Sequence, residues 1–131
     1  MSDLYGVNNN SLDEIKKVIE RTLNIEFEDR YSDYLGGDYC LAKINNPQSS
    51  KIKIIKNLSE SPVNEGWYED EYQDYDYIIE IESDLISLKD EILEKILSNL
   101  NNIIPLRRLE FNENGYINKK YIFVNNEFIC V

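Results

Sequence analysis

Apolar and polar positions alternate along this chain with two periods, one of two residues and one near 3.6, and the change between them marks out its elements. Residues 3–7 are apolar at Leu4, Tyr5 and Val7 and predict a first strand, closed by a turn at Asn8, Asn9 and Asn10. Ser11-Leu12-Asp13-Glu14 has the capping-box form, in which the Ser hydroxyl and the Glu carboxylate satisfy amide donors at a helix start. Leu12, Ile15, Val18, Ile19 and Leu23 follow at helical spacing, with Lys16, Lys17, Glu20 and Arg21 on the wet face, so a helix should run to about Asn24. Residues 25–39 hold neither period for long. Ile25 and Phe27 alternate with Glu26 and Glu28, then Gly36-Gly37 signals a turn, and the expectation is a structured loop feeding a strand.

That strand is predicted at residues 39–44, with a turn over 45–50 and an antiparallel neighbour at 51–57. In the neighbour Ile52 and Ile54 alternate with lysines but Ile55 breaks the period, which calls for a bulge or for burial on both faces. Residues 76–82 predict a strand with Tyr77, Ile79 and Ile81 on one face. Ser83 is the expected cap of a second helix from Asp84, whose Leu85, Leu88, Ile92, Leu93, Ile96, Leu97 and Leu100 make a broad apolar face ended by Asn101-Asn102. Residues 103–111 predict another strand, where Pro105 favours an edge or a strand start. Residues 121–124 and 128–131 flank Asn125-Asn126 as a candidate hairpin. The order is β-α-β-β-β-α-β plus that hairpin. It implies an α+β fold, a single domain over residues 1–131, with an antiparallel or mixed sheet of about five strands and both helices packed on one face.

Composition agrees with a globular chain, since 131 residues at 42% hydrophobic and 30% charged can bury a core without staples. The formal charge of −11 is local. Residues 26–38 carry −4 and residues 58–82 carry −9, together −13, so the remainder is +2. Such clusters repel nucleic acid and anionic membranes and speed encounter with a basic partner. Two cysteines outside any Cys-x-x-Cys pair, no basic and apolar leader and no long apolar run point to reduced thiols in a cytoplasmic protein.

Histidine is absent, which excludes Ser-His-Asp and Cys-His catalysis and the usual mixed zinc sites. No Gly-x-Gly-x-x-Gly or Gly-Lys-Ser/Thr occurs, so no nucleotide cofactor is indicated. A carboxylate enzyme remains open in principle, for example through Asp38 and Asp74. Calcium ligation by Asp70, Asp74 and Asp76 lacks the EF-hand's glycine and twelfth-position glutamate. Cys40 has no visible base to activate it, and Arg107-Arg108 are expected in internal ion pairs.

The stretch that stands apart is residues 65–77, with six carboxylates, five large aromatics and no basic residue. One reading is a solvated acidic loop whose aromatics fold back on the sheet. The other is a contact surface, because unpaired carboxylates resist the burial that all those rings would need, and exposed Tyr and Trp dominate binding hot spots. On this second reading Glu69, Asp70, Glu71, Asp74 and Asp76 steer a basic partner, Trp67, Tyr68, Tyr72 and Tyr75 anchor it, and Asp33 and Tyr34 lie alongside.

Leu4-Tyr5-Gly6-Val7, the Tyr31-Ser32-Asp33-Tyr34-Leu35-Gly36-Gly37-Asp38-Tyr39 segment, the acidic insertion before a strand and Leu106-Arg107-Arg108 together resemble small acidic immunity proteins of bacterial polymorphic-toxin and contact-dependent inhibition systems. The resemblance implies a non-catalytic inhibitor that neutralises a cognate basic toxin domain, often a nuclease; the motifs indicate no cofactor or metal, and an exposed strand edge or the tail hairpin leaves monomer and homodimer open. A carboxylate-dependent enzyme and an acidic adaptor unrelated to toxins stay open as alternatives.

Overall fold

The computed structural model describes residues 1–8, 11–44, 50–61, 66–83, 86–100, 102–125 and 127–131, with the side chains of residues 86–89, 92, 93 and 97 excepted. The expected turns at 8–10 and 45–50 fall wholly or partly outside the described residues. So do Pro62, Glu65, the helix start at Asp84 and Leu85, Asn101, Asn126 and the side chains of Leu88, Ile92, Leu93 and Leu97.

All the strands belong to one antiparallel sheet: β1 (Ser2–Val7), β2 (Glu28–Ser32), β3 (Gly37–Ile44), β4 (Ser50–Lys56), β5 (Tyr77–Glu82), β6 (Ile103–Phe111), β7 (Ile117–Val124) and β8 (Glu127–Cys130). Their order across it is β2-β3-β4-β5-β1-β6-β7-β8. Among the described residues two helices, α1 (Leu12–Leu23) and α2 (Ile86–Asn99), complete the fold. The expectation of about five strands, antiparallel or mixed, is therefore corrected to eight strands, all antiparallel, in the order β-α-β-β-β-β-α-β-β-β.

Two causes account for the difference. β2 is an edge strand whose residues are exposed or nearly so, so its Glu-Asp-Arg-Tyr-Ser shows no apolar alternation, and it is made a strand only by pairing Glu28 to Ser32 with Leu41 to Gly37 of β3. The C-terminal hairpin extends the main sheet because β6 pairs directly with β7. The turn joining β2 and β3 closes through Gly36 N donating to Asp33 O, with Gly36 at φ +87°, a value few residues but glycine adopt.

Ser11 caps α1 by accepting from Glu14 N at 3.2 Å, and Asn24 ends the helix in the left-handed region. Ile15 and Ile19 of α1, with Ile96 and Leu100 at the end of α2, pack on Tyr5, Val7, Cys40, Ala42, Ile52, Ile54, Ile79 and Ile81, which all point from the same face of the sheet. The two helices touch each other on that face. Each fully buried isoleucine contributes about 1.5–3 kcal/mol.

Every residue of β1 is buried, because the sheet's other face is covered too. Leu4 and Gly6 face it from β1, as do Ile55 of β4 and Ile78 of β5. The break at Ile55 is thus two-sided burial, with continuous register through β4. Pro105 lies near the start of β6, ahead of Arg107 where pairing with β7 begins, so β1 alone flanks it, in keeping with the expected edge or strand-start position. It is accommodated where the β1–β6 register shifts between Leu4 and Tyr5, a bulge that frees a proline from donating to the ladder.

Candidate functional site

The second face is covered by the acidic-aromatic stretch, which connects β4 to β5 and lies across the sheet as a strap. Its backbone is gathered on one side chain. Asn57, fully buried just past β4, donates from Nδ2 to Tyr72 O (2.8 Å) and Tyr75 O (3.0 Å) and accepts on Oδ1 from Glu69 N (2.9 Å). Its own amide donates to Asp76 O, and its carbonyl accepts from Tyr68 N. Asn8, at the end of β1, adds a second clasp by donating to Asp74 O and accepting from Asp76 N, each at 2.8 Å. A Leu58–Trp67 bridge and one 3-10 turn at Asp70–Tyr72 complete the path. Residues 66–76 are thereby held to a single backbone course.

Three of the four aromatic rings nominated as partner anchors are turned inward by this course. Tyr75 lies on Gly6, where any Cβ would meet three of its ring atoms at under 3.0 Å. Tyr72 stacks against the Arg107 guanidinium at 5.9 Å. Tyr68 donates its hydroxyl to Glu80 Oε2 at 2.6 Å, and burial together with the Glu80 carboxylate pushes its ionisation upward. Glu69 also faces in, 2.9 Å from Arg107 Nη2; burial pushes its carboxyl up while the guanidinium opposes the shift. Trp67 is half-buried beside Leu58.

The remaining nominated residues face solvent. Asp70, Glu71, Asp74 and Asp76 are exposed. Asp70 accepts from Gln73 at 2.6 Å and Glu71 lies 3.9 Å from Lys120, whereas Asp74 and Asp76 have no ion pair among the described residues. Asp33 and Tyr34 sit in the β2–β3 turn, and that turn docks on the strap's first leg. Ser61 Oγ donates to Asp33 Oδ1 at 2.8 Å, and the amides of Glu60 and Ser61 both donate to Gly36 O. Hydrogen bonds from Tyr31 and Ser61 hold the Asp33 carboxyl below the usual range, and Tyr34 is 82% exposed. Two acidic stretches more than twenty residues apart are thus brought to one layer.

Several groups that build this layer carry no signal in the sequence. Asn57 falls at the end of the expected strand 51–57, Asn8 in the expected turn after the first strand, and Gly6 within that strand. Glu80 and Glu82 read as the wet side of β5, yet burial, and then a hydrogen bond with Glu82, pushes the Glu80 carboxyl up to about 7. Glu82 is held below its usual range by the same bond and by Lys53 at 3.4 Å. With Met1, Ser2, Lys51, Ser83 and Phe111 the pair lines a cavity of about 280 Å³.

The other chemistry considered finds less support. Asp38 lies beside Asp13, Lys16 and Asp29 near α1, and Asp74 beside Asn8, so the two are not brought together. Among the described residues no group of three or more His, Cys, Asp or Glu is placed to hold a metal ion. The buried Cys40 thiol donates to Asp29 at 3.5 Å, and burial with that carboxylate pushes it up to about 11, the reverse of an activated nucleophile. Arg107 and Arg108 are both in internal ion pairs. No helix among the described residues is long and apolar enough to cross a membrane. Comparison with protein-family models, curated proteins and solved structures finds no significant match to this chain.

Proposed function

We propose that this chain is a non-catalytic, immunity-type inhibitor that works in the cytoplasm and neutralises a cognate basic toxin domain, a nuclease being the best fit. One observation supports it above the rest: exposed carboxylates, Asp74 and Asp76 without ion pairs among the described residues, stand on a strap whose backbone is fixed from beneath by Asn57 and Asn8. A fixed acidic layer is the complement of a basic phosphate-binding groove, since it speeds encounter and needs little ordering on contact.

In this reading Asp33, Asp70, Glu71, Asp74 and Asp76 steer the partner. Tyr34 and Trp67 offer the rings that touch it, while Glu69, Tyr68, Tyr72 and Tyr75 hold the layer in shape. Affinity capture from the source lysate at low salt, with elution by rising salt, should yield a basic toxin-like domain. The triple charge reversal Asp70→Lys, Glu71→Lys, Asp74→Lys should slow association with it by about tenfold or more and flatten its salt dependence. An unchanged on-rate would sink the assignment.

A carboxylate-dependent enzyme is favoured by one observation only, the Glu80–Glu82 pair on a cavity wall with one carboxyl raised to about 7. It requires turnover by the chain alone that Glu80→Gln abolishes.

A further inference from the structure

We infer that the notch between Leu58, Trp67 and Tyr77 is a receptor for one arginine side chain of the protein partner. This rests on the reading above that the acidic face meets a basic protein, and it adds the specific contact. The notch is a cavity of about 340 Å³ at the end of β4 and the start of β5, lined by Lys56, Leu58, Trp67, Asp76 and Tyr77. That is at the small end of the roughly 300–1,000 Å³ usual for ligand clefts. Leu58 is 48% exposed, an apolar side chain left uncovered next to the half-buried Trp67 and Tyr77.

Charge selects the occupant. Lys56 is the notch's own cation, but its ammonium is paired with the Glu60 carboxylate. Asp76 adds a second carboxylate near enough to help keep Lys56 charged, and has no ion pair among the described residues. Lys56, Glu60 and Asp76 therefore sum to −1, and one added cation makes the site neutral. An occupant with an apolar stem and a cationic head matches walls of Leu, Trp and Tyr under a carboxylate rim. Arginine fits better than lysine, because its planar guanidinium stacks on an indole and forks onto a carboxylate.

Trp67 is the chain's single tryptophan, so its fluorescence reports this site alone. The full chain would be titrated with acetyl-Gly-Arg-Gly-amide and, in parallel, with the matching lysine and leucine peptides. The arginine peptide should give a saturable change in Trp67 emission at millimolar concentration, with the lysine peptide weaker and the leucine peptide unsaturated. Asp76→Asn should raise the half-saturation concentration by about 2- to 5-fold. The hydrogen bonds of Asp76 run through its backbone to Asn57 and Asn8, so the amide leaves the strap in place. Leu58→Ser, which keeps every charge, should weaken the response as well.

A linear, unsaturable arginine response, equal binding of the lysine or leucine peptide, or indifference to both Asp76→Asn and Leu58→Ser overturns the inference. Toxin capture that persists when the notch variants bind normally likewise removes the notch from the interface and leaves the acidic-face reading standing. Failure to capture any basic domain, beside a saturable arginine response, does the reverse.

Discussion

At the scale of single residues, the layer depends on groups that never touch solvent. Asn57 is fully buried and makes three side-chain hydrogen bonds to strap backbone, so Asn57→Ala strips the Tyr75 carbonyl and the Glu69 amide of these bonds and leaves the Tyr72 carbonyl with the Tyr75 amide at 3.2 Å. The expected cost is about 2–4 kcal/mol, read as a lower denaturation midpoint with faster hydrogen exchange at residues 66–76. A midpoint within error of the parent would show that water replaces those bonds at no cost. Gly6 acts by absence. Gly6→Ala puts a methyl into the Tyr75 ring and should cost about 1–3 kcal/mol by overpacking. The double variant Gly6→Ala, Tyr75→Ala should be more stable than the sum of the single changes predicts, because the clash exists only when both groups are present.

At the scale of the element, β5 carries a titrating pair, to which the strap bonds through the Tyr68 hydroxyl. Glu80 is moved from the ordinary 4.5 to about 7, which makes the folded chain the weaker acid at this position. Its ionisation therefore favours the unfolded state, and stability declines as pH rises from about 4.5 through 7. Glu82 is shifted the other way, so its contribution is present once it ionises and is lost on acidification below the ordinary glutamate range. The two give a stability maximum between these windows. A melting temperature that falls from pH 5 to pH 8 in the parent, and falls much less in Glu80→Gln, is the expected result. Parallel curves for the two proteins would contradict it. The same contacts explain why the strap's rings escape a sequence reading: Tyr68, Tyr72 and Tyr75 are covered by Glu80 of β5, Arg107 of β6 and Gly6 of β1, on three different strands.

At the scale of the molecule, the helix-covered face of the sheet carries a buried ion cluster that spans several elements. Arg108 of β6 holds the fully buried Asp3 of β1 through two bonds, Nε to Oδ1 at 2.8 Å and Nη2 to Oδ2 at 2.9 Å, and reaches Asp90 of α2 at 3.1 Å. Tyr5 donates to the same carboxylate, and the guanidinium packs over Phe128 at 4.5 Å. The cluster joins the centre of the sheet to a helix and to the last strand. Arg108→Ala should cost about 3–5 kcal/mol, because it removes the guanidinium that balances the Asp3 carboxylate in the core. Restoring part of that loss by adding Asp3→Asn would identify the unbalanced charge as the cause; no recovery would assign the loss to packing. The acidity sits elsewhere, and the edge strand β2 keeps exposed Glu28, Asp29 and Arg30, which discourage pairing with another sheet edge.

The sequence by itself determined what local chemistry can encode. The Ser11 cap and the helical stripe of Ile15 and Ile19 specify α1, while β1, β3, β4, β5 and β6 follow from apolar runs with marked ends. It also located the charge, since residues 58–82 are acidic in any conformation. Only the tertiary structure decided the strand count, because β2 has no apolar face of its own and β7 joins the sheet through β6. It alone decided which side chains of residues 66–76 face water. The rings go inward because Gly6 leaves room and Arg107 and Glu80 supply partners, and the backbone held by Asn57 and Asn8 leaves Asp70, Glu71, Asp74 and Asp76 outside. A contact between residues 75 and 6, or 57 and 72, has no local pattern to announce it, which is why the acidic surface was legible and its scaffold was not.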